Sequence, residues 1–110
     1  MGLTYKGKIR GEFDVNVAGA NLLGWIHCKA SVPDTYAPYP DSTYARVPFE
    51  ATKEKATGMG KLLQNLSLES RLLMLTPEIT PLFGGDGNDW LDFVEEWVQF
   101  LLTCGGYEAE

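Results

Sequence analysis

The sequence predicts an α+β domain, with an N-terminal antiparallel sheet (a long hairpin plus a third edge strand) packed against C-terminal helices. Three patterns carry that prediction. Apolar and polar residues alternate without a break over residues 3–17, leucines crowd residues 62–75, and a helical amphipathic pattern fills residues 88–104. At 110 residues the chain fits one domain: mostly β over 1–52, mostly α over 58–104, and an acidic tail over 105–110. A composition of 45% hydrophobic and 22% charged residues is ordinary for a globular protein and does not suggest disorder.

The first strand is read from its period of two. Leu3, Tyr5, Ile9, Phe13, Val15 and Val17 fall on one face, and Thr4, Lys6, Lys8, Arg10, Glu12 and Asp14 on the other. Gly7 and Gly11 on the apolar face suggest a bend or a bulge. After residues 18–21 the alternation resumes, with Ile26, Cys28, Ala30 and Val32 inward and Trp25, His27, Lys29 and Ser31 outward. This predicts the second arm of the hairpin, with Glu12 opposite Lys29 and Asp14 opposite His27. Residues 33–49 are rich in Pro and Tyr and read as an ordered loop. Ala45, Val47, Phe49 and Ala51 alternate as a third strand, which Pro48 confines to an edge. Residues 52–61 read as a linker. The leucine-rich stretch reads as two short helices broken near Ser67, or as one buried helix. The last helix starts at an Asp86 or Asn88 cap and stops at Gly105-Gly106. Its polar residues Asp92, Glu95, Glu96, Gln99 and Thr103 share an arc of about 100°, which leaves an apolar arc of about 200°. One contact needs only a little over about 100° of apolar face. The helix is therefore expected to be wedged between sheet and leucine-rich segment; the competing expectation is that part of its face meets another chain, in a homo-oligomer or with a partner.

Charge is divided unevenly. Residues 1–61 hold eight basic and six acidic residues, whereas residues 62–110 hold Arg71 alone against nine acids. A field of one sign over the C-terminal half favours a basic partner surface and disfavours nucleic acid there. No apolar run is long enough to span a bilayer, and MGLTYKGKIRG lacks the apolar core of a signal peptide, so a cytoplasmic protein is expected. Cys28 and Cys104 have no framework spacing and are expected as free thiols.

The motifs that invite a chemical reading are incomplete. GGDGNDWLD at 84–92 has the calcium-binding nonapeptide pattern, but that mechanism needs tandem copies and there is one, running into a helix. GMGKLL lacks the first glycine and the Ser/Thr of a phosphate loop. His27 and Cys28, as strand neighbours, point to opposite faces and make no dyad. Asp92, Glu95 and Glu96 have no Glu-x-x-His partner that would build a di-metal bundle. No catalytic residue, metal or cofactor is predicted.

The leading expectation is a non-catalytic protein-interaction or assembly protein acting through its acidic, aromatic-rich C-terminal half. Asp89, Asp92, Glu95 and Glu96, with Trp90 and Trp97, would meet a protein partner with a basic surface; an inhibitor imitating nucleic-acid charge or a small structural subunit fits. The alternative is single-stranded nucleic-acid binding by a strand platform of Lys6, Lys8, Arg10, Trp25 and Lys29, offering charge for phosphates and an indole for stacking. A third is a ligand carrier or enzyme built on the Tyr36–Tyr44 loop.

Overall fold

A computed structural model describes residues 2–30 and 47–110 of the chain. Strand β1 (Gly2–Gly7) pairs with β2 (Glu12–Asn16), and helix α1 (Val17–Lys29) follows directly. The short strand β3 (Glu50–Ala51) leads into α2 (Lys53–Gln64), α3 (Leu68–Leu73), α4 (Thr80–Phe83), α5 (Gly87–Thr103) and the final strand β4 (Tyr107–Ala109). The strands form one antiparallel sheet in the order β2-β1-β4-β3, and the helices pack on one of its faces. The predicted α+β architecture is the observed one, with β3 at an edge.

The first hairpin is folded differently from the prediction. The 15-residue alternation is two short strands joined through Lys8-Ile9-Arg10, with Leu3 opposite Val15 and Tyr5 opposite Phe13. The Gly7 N–H donates to the Gly11 carbonyl at 2.8 Å, and Gly11 takes a φ of +83°, which an L side chain resists. Three residues between the closing pair keep odd positions opposite odd ones, so the period of two runs through the turn unbroken. The alternation therefore could not reveal where the chain reverses.

The predicted second arm is helix α1. The Asn16 side chain caps it by accepting from the Gly19 N–H at 2.7 Å, and Leu22, Leu23, Ile26 and His27 point into the core at helical spacing. Neither predicted cross-strand pair, Glu12–Lys29 or Asp14–His27, exists. Residues 52–61, read as a linker, belong to α2 and its Thr52 cap, which accepts from the Lys55 N–H at 3.2 Å. The break near Ser67 is as predicted: Ser67 caps α3. The residues read as an acidic tail form β4, lying between β1 and β3. Gly105 and Gly106, at φ of +72° and +93°, reverse the chain from α5 into that strand. Tyr107 faces the core and its hydroxyl donates to the Pro48 carbonyl at 2.8 Å. Residues 33–46 of the predicted 33–49 loop, with the start of the third strand at Ala45, lie outside the described residues.

Helix α5 is the centre of the molecule. Trp90, Val94, Trp97, Val98 and Leu101 are fully buried among the sheet and the other helices, as the wedge expectation required. Trp97 meets Tyr5 and Phe13 edge-on at centroid distances of 5.2 and 5.1 Å and stacks near Phe100 at 5.7 Å. An aromatic cluster of this kind supplies much of a small core.

Candidate interaction surfaces

The outer face of the sheet is acidic. The register places Glu12, Lys6, Glu108 and Glu50 in one row across the four strands, with Asp14, Thr4 and Glu110 beside it. The Thr4 hydroxyl donates to Asp14 at 2.6 Å, and Lys6 Nζ lies 3.2 Å from Glu110. The hydrogen bond to Glu110 and the carboxylates of Glu110, Glu12 and Asp14 hold the Lys6 ammonium above its ordinary pKa. Glu50 directly opposite Glu108 is a like-charge pair, which the sheet bears at a small cost.

The predicted strand platform is not assembled. Lys6 projects from the outer sheet face and Lys8 and Arg10 from the turn, while Trp25 and Lys29 belong to α1 on the helical side. There Trp25 Nε1 donates to the Met74 carbonyl at 2.8 Å, and Lys29 Nζ sits 4.5 Å over the Trp25 ring. Five residues that one long hairpin would gather are divided between opposite sides of the sheet because their second half is a helix.

The six residues expected on a partner face divide as well. Trp90 and Trp97 are completely buried and offer no surface. The Trp90 indole donates to the Arg71 carbonyl at 2.8 Å, and the Trp97 indole donates to His27 Nε2 at 3.0 Å. An indole nitrogen only donates, so His27 Nε2 is the acceptor of this bond. His27, expected exposed beside Asp14, is thus a core residue that orients Trp97. Asp89 completes a capping box: Asp86 accepts from the Asp89 N–H at 2.9 Å, and Asp89 accepts from the Asp86 N–H at 3.2 Å. The glycine-rich run before α5 is therefore its cap. Glu95 accepts from Arg71 Nη1 at 2.8 Å and from Gln99 at 2.7 Å. The Arg71 hydrogen bond, followed by that of Gln99, holds the Glu95 carboxyl below the usual carboxylate range. Asp92 and Glu96 are left exposed on the outer arc.

Sequence reasoning expected a helix after Ser67 but missed its orientation: α3 is inside out. Its buried residue is Arg71, whereas Leu68, Leu72 and Leu73 are 62%, 40% and 71% exposed. The helix is held down by polar bonds. Arg71 Nη1 reaches Glu95, Arg71 Nη2 reaches the Leu63 carbonyl at 3.3 Å, and the carbonyls of Arg71 and Met74 accept the two indoles. At 100° per residue, Leu68, Leu72, Glu69 and Leu73 fan over one outward arc of about 140°, with Glu69 between the last two leucines. The signal that could have found it is a leucine helix carrying the only base of the C-terminal half at a position that ought to face water.

Little else among the described residues offers chemistry. Among the described residues no group of three or more His, Cys, Asp and Glu is placed to hold a metal, and Cys28 and Cys104 are free thiols. An open hollow of about 270 Å³ lies between α1 and α4, lined in part by Asp14, Leu82, Phe83 and Phe93. Among the described residues no helix is long and apolar enough to cross a membrane. Comparisons with protein-family models, with curated proteins and with solved structures return no match.

Proposed function

We propose that this chain is a non-catalytic protein-binding or assembly protein that docks its partner on the outward face of α3 and the neighbouring acidic arc of α5. The observation that carries this reading is the inversion of α3. Stable interfaces have an apolar centre and a polar rim, and here Leu68, Leu72 and Leu73 form the centre, with Glu69 among them, while Asp92 and Glu96 form the rim. A helix that buries its arginine and displays three leucines loses burial that an ordinary amphipathic arrangement would gain, about 1.5–3 kcal/mol for each fully buried leucine. A partner that covers the leucines recovers it. The outer sheet face has charge but no apolar centre, which makes it the weaker docking surface.

The test is a Leu68→Asp, Leu73→Asp double variant used as bait beside the native chain in crosslinked affinity capture. Both positions are mostly exposed, so the variant should unfold within about 1 kcal/mol of the native chain. It should lose the captured partner. A variant that is folded and captures the same proteins as the native chain would end this reading.

A further inference from the structure

The outward face of α3 carries one carboxylate within a patch of leucines. Glu69 lies between Leu72 and Leu73 in angular order and makes no hydrogen bond or ion pair among the described residues. Docking any apolar surface on the three leucines takes Glu69 out of water, and a carboxylate removed from water without a countercharge is costly. The occupant must therefore bring a cation into the middle of its apolar stripe.

The surroundings point the same way. Leu72 lies against the start of α5, where a Cβ on Gly87 would come within 3.2 Å of it. Glu95 of α5 bonds Arg71 of α3, so the exposed arc of Asp92 and Glu96 borders the same seam. The one base of these two helices, Arg71, is buried and already engaged with Glu95, and Lys29 of α1, which borders Leu73, sits over the Trp25 ring. A second copy of the chain is a poor occupant. A twofold contact brings each patch onto itself, so Glu69 would approach Glu69 and one α5 arc the other.

Resting on the docking reading above, we infer that the α3–α5 face binds a basic amphipathic helix of a partner protein, whose apolar stripe covers Leu68, Leu72 and Leu73 and whose central arginine or lysine pairs with Glu69. Flanking cations on that helix meet Asp92 and Glu96. This is helix-on-surface recognition with an arginine anchor, a residue enriched in interface hot spots.

The experiment titrates the full chain with a synthetic helical peptide that has a leucine stripe, one central arginine and flanking lysines. A twin peptide carries glutamate in place of the arginine. Binding is read by fluorescence anisotropy, and the site by methyl NMR shifts. The arginine peptide should bind at least tenfold more tightly than its twin and shift the methyls of Leu68, Leu72 and Leu73. A Glu69→Arg variant should reverse the preference, which simple loss of packing would not do. Equal binding of the two peptides, no binding, or shifts elsewhere would overturn the inference. So would a stable dimer in sedimentation that Leu73→Asp dissociates, although that result would leave the docking reading standing. Retained partner capture by the Leu68→Asp, Leu73→Asp variant would remove both.

Discussion

Arg71 and Glu95 show how one side chain fixes the exposure of a whole helix. The Arg71 side chain is 5% exposed and that of Glu95 47%, so the pair sits at the border of the core. Folding lowers the Glu95 pKa, chiefly through the Arg71 hydrogen bond. A depressed carboxylate pKa adds stability above the unfolded value, about 4.3, and that stability is lost as the pH falls through the folded value. Denaturant midpoints taken from pH 6 down to pH 2.5 should therefore fall more steeply for the native chain than for Glu95→Gln. The gap at pH 6 should be about 0.5–1 kcal/mol, small because Glu95 is half in water. Parallel curves would show that the pair contributes nothing. Only an anomaly was legible beforehand, the lone arginine of a leucine run, and the sequence does not say that its partner is Glu95. His27 was misjudged for a related reason: on a strand it would face solvent, on a helix it faces Trp97. One error of period displaced two residues, His27 and Lys29, from their predicted neighbours.

Helix α5 was legible almost to the residue, with a predicted span of 88–104 and an observed one of Gly87–Thr103. Its pattern is long, strongly periodic and bounded by a cap and two glycines, and each of those signals has a local cause. Helix α1 was not, because Trp25, His27, Lys29 and Ser31 alternate with Ile26, Cys28, Ala30 and Val32 well enough to imitate a strand. The helical spacing of Leu22, Leu23, Ile26 and His27 behind the Asn16 cap was the competing signal. The turn at residues 8–10 was hidden because an odd-numbered loop preserves parity, and β4 because three residues are too few to show a period. The start of α5 also distinguishes the cap from a calcium loop. Asp86→Ala should lower stability by about 1 kcal/mol, the usual cost of losing an N-cap. Thermal melts should give the same loss with and without millimolar calcium. A native chain whose melting temperature rises with calcium, and an Asp86→Ala variant whose temperature does not, would restore the calcium reading.

The molecule closes its sheet with its own two ends. Among the described residues β1 is the first strand and β4 the last, and β4 connects β1 to β3. The same closure gathers Glu12, Glu50, Glu108 and Glu110, acids from both halves of the sequence, onto one outer face around Lys6. A division into a balanced N-terminal half and an acidic C-terminal half therefore does not survive in three dimensions. Closure also makes the last residues structural. Tyr107 is fully buried, stands 5.3 Å from Tyr5 edge-on, and anchors the Pro48 carbonyl. Burial pushes the Tyr107 hydroxyl above its ordinary pKa and the Tyr5 hydroxyl up to about 12, the signature of phenols that have left water. Losing a buried aromatic costs about 3–5 kcal/mol, and the ladder bonds to β1 and β3 go with it, against a total stability of about 5–15 kcal/mol for a typical domain. Deleting residues 107–110 should therefore abolish cooperative thermal unfolding and collapse the dispersion of the amide NMR spectrum. A Glu108→Gln, Glu110→Gln variant, which keeps the strand and removes its charge, should melt like the native chain. If the truncated chain melts cooperatively within a few degrees of the native one, β4 is an accessory to the sheet, and the helical layer alone holds α3 and α5 in their docking arrangement.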